Sequence, residues 1–266
     1  MCTLSIIPYN VDPGRRPAAC VRIACNRDES RLRPAATPPE LTRLAGRQAL
    51  MPIDPVGLGT WIAASNVPLA LALMNVYAAP FGSNPQSIAP RRAPPVSRGT
   101  IIPHVLPAGS LGEALARARD LDLAQFEPFR LVIADRDQFA EVVWWGGRFE
   151  VSDPAAIRGP LFFTSSGLGD EVVAGPRRTL FDELFAADAD WPAAQDAFHR
   201  HVWPGKEYAS VWMTRPEART VSLTVVELLR QDVRMSYYAR ENDGSDARDS
   251  RSASVPIARG QADVTS

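Results

Sequence analysis

Two short, partly alternating apolar runs at the start of the chain, "MCTLSIIPY" and "AACVRIACN", are separated by "NVDPGRRP". Asp12-Pro13-Gly14 is a turn signal, because proline presets φ and glycine tolerates positive φ, so the first 26 residues read as a β-hairpin. Cys2 then stands at the very start of one strand. The charged run Asn26-Arg27-Asp28-Glu29 closes the other, beside it.

The remaining chain reads as strands interrupted by helices. "GLGTWIAAS" and "LALALMNVY" are two further strands with Asn66 at the turn between them, and the proline-rich stretch from Pro34 to Pro39 reads as loop. Residues 78–95 carry too many prolines and small polar side chains for a helix and read as a surface loop. "SRGTIIPHVL" and "SLGEALARARDLDL" follow as helical segments, the second with leucine and alanine at helical spacing. Strands resume in "FRLVIADRDQFAEVVWWGGRFEV" and "LFFTSSG". Two amphipathic helices come next, "PRRTLFDELFAAD" and "WPAAQDAFHRHV", and "YASVWMTRPEARTVSLTVVEL" with "VRMSYYA" forms a closing hairpin. This order has no regular βαβ alternation and no repeat, so it predicts an α+β sandwich with antiparallel sheets. Residues 1–238 read as one domain and 239–266, rich in Ser, Asp and Arg, as a disordered tail.

Composition narrows the function classes. A formal charge of −1 with both signs interspersed gives no footprint for nucleic acid or an anionic membrane. No run of 18 apolar residues exists and the start is not a secretory signal, so no membrane span is expected and the location expected is cytoplasmic. Cys2, Cys20 and Cys25 are an odd set clustered at one end, unlike a disulfide framework or paired zinc ligands. The partner expected is a small-molecule substrate or ligand, and the sequence does not give an oligomeric state.

Cys2 has a chemistry available to no other residue here. If Met1 is removed, as the small side chain at position 2 favours, thiol and α-amine share one carbon, and an α-amine with a pKa of roughly 7.7–8.0 can serve as the nucleophile's own base. A carboxylate from the charged run can orient that amine, and an arginine can favour the thiolate. The same run also reads as a solvated surface salt-bridge cluster. Asn75, at the end of an apolar strand, is either a turn residue or a neutral donor for a developing oxyanion. His199 and His201 are two apart and match no metal spacing, so they read as structural. The glycines of "GLGT" lack the spacing of a phosphate loop and read as permitting close strand packing.

"MC" at the start, "ACNRDESRLRP", "GLGTWIAAS" before "ALMN", "SRG", "FRLVIAD", "TSSGLGD…GPRRTLF" and "YASVWMTR…TVSLTVVE" occur in this order. They resemble the landmarks of the NRDE family, whose animal members are called transport and Golgi organisation protein two. The similarity runs from Met1 to about Tyr238. It implies the fold of the N-terminal-nucleophile hydrolases, a four-layer αββα sandwich with the nucleophile opening a central strand. By comparison with cysteine acylases of that fold it implies Cys2 as nucleophile, Asp28 as partner of its α-amine and Asn75 in the oxyanion hole, with Arg27 beside them. Their arginine before the Asn-x-Asp falls on Cys25 here. Asn26, Ser166 (with Ser165, where they carry an asparagine) and Arg177 are the expected substrate contacts. The reaction implied is cleavage of a linear non-peptide C–N amide without metal or organic cofactor. The alternative is a non-catalytic binding or trafficking protein for haem or lipid on the same fold.

Overall fold

A computed structural model of the chain describes residues 2–9, 20–77, 96–168, 170–186, 189–241 and 250–258, with residues 170 and 171 described by backbone only. The turn at 12–14 and the loop at 78–95 lie outside the described residues. The strands are β1 (Cys2–Tyr9), β2 (Cys20–Ser30), β3 (Thr37–Leu44), β4 (Arg47–Ile53), β5 (Ile62–Ser65), β6 (Ala70–Asn75), β7 (Phe129–Ala134), β8 (Gln138–Trp144), β9 (Phe149–Val151), β10 (Ala155–Ala156), β11 (Leu161–Ser165), β12 (Ala218–Leu228), β13 (Asp232–Ala239) and β14 (Arg251–Pro256). The α-helices are α1 (Ile101–Val105), α2 (Leu111–Arg119), α3 (Asp170–Leu184) and α4 (Trp191–His199).

Two antiparallel sheets result. One runs β11-β1-β2-β12-β13-β14 and the other β10-β8-β7-β6-β5-β4-β3, with β9 also paired to β8. Alternation along each strand sorts the side chains into separate cores. Leu4, Ile6, Ile23 and Cys25 of the first sheet meet Ile62, Ala72, Met74 and Val132 of the second in the core between the sheets. The outer face of the second sheet packs Leu71, Leu131 and Ile133 against Ile101, Ile102 and Leu115 of α1 and α2. The outer face of the first packs Ile7 and Phe162 against Phe181 and Phe198 of α3 and α4. The molecule is thus the α+β sandwich with antiparallel sheets that the order of elements predicts, in the four-layer αββα form that the resemblance implies.

The helix layer on the first sheet is positioned by polar groups in addition to this apolar packing. Ser5 Oγ lies 2.7 Å from His199 Nε2, whose Nδ1 lies 2.7 Å from Asn26 Oδ1. Arg177 Nη1 donates to Thr3 Oγ1 (2.6 Å) and Thr164 Oγ1 (3.1 Å), and its Nε and Nη2 donate to the carbonyls of Ala209 and Ser210. Each donor or acceptor left without a partner in such a place costs about 1–3 kcal/mol, so these bonds fix where the helices sit.

Three departures from the sequence reading have local causes. The prolines at 38 and 39 do not keep residues 37–44 out of a sheet, because β3 is an edge strand whose register shifts between Thr37 and Glu40. It pairs with β4 through a tight turn in which Ala45 and Gly46 have φ of 45° and 84°. "YASVWMTR" is not a strand: Ala209 to Met213 are all buried in succession, and only Thr214 makes a bridge, to Arg219. Within the tail read as disordered, Arg251–Pro256 forms β14 on the edge of β13 and buries Val255 fully.

The "GLGT" glycines permit a close backbone approach, as expected, but between the loop before β5 and the turn at Arg98–Thr100 and not between strands. Thr60 N–H donates to Gly99 O at 3.0 Å, and a Cβ on Gly59 would lie 2.4 Å from the Gly99 carbonyl carbon. Backbone cannot yield to that clash without moving the segment. Gly59→Ala is therefore expected to lower the urea midpoint by the equivalent of roughly 1–3 kcal/mol, whereas Gly147→Ala, with nothing within 4 Å of the added carbon, stays close to wild type.

Candidate active site

The end of β1 opens onto a cavity of about 370 Å³ whose lining includes Cys2, Arg27, Asp28, Trp61 and Asn75. Register places the first two together: Cys2 is opposite Arg27 on β2 and opposite Ser165 on β11. Cys2 is buried, and its backbone nitrogen donates to Ser165 Oγ at 3.3 Å. In the intact chain that nitrogen is an amide; removal of Met1 would make it the α-amine.

Cys25 shares the face of Cys2, two residues along β2 from Arg27, and is fully buried. A hydrogen bond from the Cys25 thiol holds the Cys2 thiol below its ordinary pKa against the opposing cost of burial, with the positive chain terminus and Arg27 pulling in the same direction and Asp28 opposing. The Cys25 thiol is pushed well up by the same hydrogen bond and by burial. Of the pair, Cys2 is thus the thiol whose ionisation is favoured.

Asp28 lies where β12 breaks register between Thr220 and Ser222, so that Thr220 Oγ1 reaches its Oδ1 at 2.6 Å. Such irregularities commonly re-aim a side chain beside a site. Burial pushes the Asp28 carboxyl above the usual range, against the pull of Arg177, the chain terminus, Thr220 and Arg215. Arg27 is held flat over the Trp61 ring, 4.4 Å from its centroid, and its Nη2 donates to Asp54 Oδ2 (2.7 Å) and Glu29 Oε2 (3.3 Å). Asp54 Oδ2 also accepts from Arg33 Nε at 2.8 Å, and its Oδ1 accepts from the amides of Val56 and Gly57. Burial pushes Asp54 up, but Arg33 and those amides outweigh it and hold the carboxyl below the usual range. Asn75 ends β6, with Nδ2 3.4 Å from the Tyr77 hydroxyl.

Of the residues expected from the sequence, Cys2, Arg27, Asp28 and Asn75 line this one cavity. Asn26 and Arg177 do not. Asn26 pairs with Thr3 and so points to the opposite face, where its Nδ2 donates to the carbonyls of His199 and Val211 at 2.9 Å each. Arg177 is 1% exposed within the helix layer, and burial lowers its pKa to about 10. Both are corrected from substrate contacts to docking groups. Ser166 is buried past the end of β11, accepting from Leu168 N–H and Arg215 Nη2, and it is Ser165 that meets Cys2. Sequence reasoning gave no role to Asp54 and Arg33, which immobilise Arg27, or to Trp61 beneath it. Trp61 lies inside the quoted landmark "GLGTWIAAS", a usable signal, whereas Asp54 precedes a turn and resembles any loop aspartate. Among the described residues, no group of three His, Cys, Asp or Glu is placed to hold a metal ion.

No family model and no curated protein matches the sequence. Solved structures are similar to it. The penicillin V acylase of Agrobacterium tumefaciens aligns with a TM-score of 0.52 at 13% identity, over 88% of this chain and 82% of that one. The Caenorhabditis elegans N-acylethanolamine-hydrolyzing acid amidase ortholog aligns with a TM-score of 0.55 at 15% identity, over 84% and 91%. The fold is that of the N-terminal-nucleophile hydrolases. At these identities the likeness concerns the fold, and what the site does must be argued from its own residues.

Cys2 and Cys25 should separate by reactivity. Because the Cys2 pKa is lowered, its thiolate persists at lower pH, and iodoacetamide alkylation of Cys2 followed by peptide mass spectrometry should have its midpoint below the roughly 8.5 of a free cysteine. Cys25, fully buried and shifted upward, should react only on unfolding. A Cys2 midpoint at or above the free value would remove the thiolate from the site.

Proposed function

We propose that this chain is an N-terminal cysteine hydrolase of the NRDE type that cleaves a linear, non-peptide C–N amide. The observation that carries the reading is the convergence of Cys2, Asp28, Arg27 and Asn75 on one cavity from β1, β2 and β6. The ordered sequence landmarks support placement beside the NRDE family, and the fold is one in which a nucleophile opens a central strand.

In this reading the peptide bond before Cys2 is first hydrolysed. The α-amine, carried on the nitrogen that Ser165 Oγ accepts from and lying near Asp28, takes the thiol proton. The thiolate adds to the amide carbonyl, and the tetrahedral oxyanion is met by the Asn75 side-chain N–H. The ammonium returns its proton to the amine nitrogen as the C–N bond breaks. The resulting thioester is then attacked by water, which gives a proton to the α-amine, and collapse releases the acid and restores the thiol. Arg27, opposite Cys2, favours the thiolate over the thiol. Three free cysteines in the described chain fit a reducing, cytoplasmic setting, and no helix among the described residues is long and apolar enough to cross a membrane. The binding-only alternative for haem or lipid gains no support from walls as rich in charge as Arg27, Glu29, Arg33 and Asp54.

Two measurements test the reading. Intact mass of the native protein should show loss of Met1; quantitative retention removes the base and sinks the mechanism. With an amide substrate found by screening, Cys2→Ala should lower kcat by at least about a thousandfold while the folded state persists, and Asn75→Ala by roughly 10²–10³. Turnover that survives Cys2→Ala would place the chemistry elsewhere.

A further inference from the structure

The guanidinium of Arg27 is only partly used. Its side chain is 6% exposed, and both of its carboxylate contacts are made by Nη2. Nε and Nη1 make no hydrogen bond among the described residues, and neither is among the fully buried atoms left without a partner, so three N–H groups of this cation are open to what fills the cavity. An oxygen of a bound molecule there would accept from a charged donor, the stronger kind of hydrogen bond. The arginine is also not at liberty to turn toward solvent, since Trp61 lies under its face and Asp54 and Glu29 grip its end. Those carboxylates are themselves shared with Arg33, Asp54 at 2.7 Å and Glu29 at 3.8 Å, so the four charges balance and the arrangement is rigid without a ligand.

Register puts this preset donor directly opposite Cys2 on the same sheet face, where facing Cβ atoms lie about 4.5–5.5 Å apart. The cavity they share, about 370 Å³, is at the small end of the range for ligand sites, and much of its wall is charged. An acyl group bonded to the Cys2 sulfur would lie beside the residue that faces Cys2 on the neighbouring strand, which is Arg27. We propose that Arg27 is a specificity residue that accepts an oxygen-bearing acyl group, so that the substrate is a compact amide of a polar acid, with a carboxylate or carboxamide oxygen a few bonds from the scissile carbonyl, and not an amide of a long apolar acid. This proposal rests on the hydrolase reading for the direction of the substrate, but not for the occupancy of the Arg27 donors.

A protection experiment separates the two. Native protein lacking Met1 is alkylated at Cys2 with iodoacetamide in the presence of glutaramate, glutaramide or pentanamide, three chains of similar length ending in carboxylate, carboxamide or methyl. Half-protection by the two oxygen-bearing amides is expected at concentrations at least about tenfold lower than by pentanamide, glutaramate being the strongest, because a hydrogen bond to a charged donor is worth that much. Arg27→Met should erase the ranking and Arg27→Lys retain part of it for glutaramate; half-protecting concentrations are compared, so a changed thiol reactivity does not enter. A merely structural arginine would leave the ranking intact. Equal protection by pentanamide, or a ranking that survives Arg27→Met in folded protein, overturns the proposal. Protection by glutaramate with no hydrolysis of it or of any other amide would uphold the proposal and sink the hydrolase reading. Should Arg27→Met fail to fold, the wild-type ranking and Arg27→Lys still decide.

Discussion

The structure depends on the pairing of β1 between β2 and β11. A strand in that position is buried on both faces, so each of its residues must satisfy one of two different layers. Leu4 and Ile6 enter the core between the sheets, while Thr3, Ser5 and Ile7 meet the helices. Position 2 inherits its direction from this alternation: it must face the second sheet, at the end of the strand where a cavity replaces apolar packing. A one-residue slip of β1 would turn Cys2 toward α3 and bring Thr3 and Ser5 into the apolar core. Placement of the thiol is therefore a consequence of the fold's register and not of local interactions at the terminus.

The same alternation divides the tetrad Asn26-Arg27-Asp28-Glu29. Asn26 is used to hold His199 and Val211, and through them α4 and the irregular segment that follows it. Arg27 goes to the other face, into the cavity. Asp28, past the last residue of β1 it could pair with, is taken up by the register break in β12. Buried polar groups on the helix side are thus tied together from Thr3 and Ser5 through Asn26 to Arg177 and His199, and the cost of leaving any of them unpaired makes the position of the helix layer specific. Burial keeps His199 neutral, its pKa driven well below the usual histidine value with Arg22, Arg200 and Arg177 adding to the effect. It is a docking group between two strands.

Much of this was legible in the sequence, for reasons that can be stated residue by residue. The hairpin strands announced themselves by apolar runs, and the amphipathic stretches by helical spacing, so an antiparallel α+β sandwich followed, while the order of its four layers came from the family resemblance. Position 2 drew attention because thiol and amine chemistry coincide there. Which member of a charged run faces the cavity was not legible, because alternation fixes faces only once the register is known, and Cys2 opposite Arg27 is a fact of pairing. Arg177 read as a substrate contact because nothing nearby in sequence shows that its acceptors, the carbonyls of Ala209 and Ser210, come from an irregular segment more than 30 residues away. Strands β3 and β14 escaped notice because prolines and a serine-rich composition argue against strands, and edge strands tolerate both.

The electrostatics of the cavity follow from sharing. Two arginines and two carboxylates, Arg27, Arg33, Glu29 and Asp54, neutralise one another beside the thiol, so the field at Cys2 is not that of a lone guanidinium. The larger influence on the thiol is Cys25; a neutral S–H donor there favours the thiolate without adding a charge. Two neighbours of Cys2 thus act separately: Cys25 lowers the pKa of its thiol, and Arg27, pinned by Asp54 and Glu29, faces what enters the cavity.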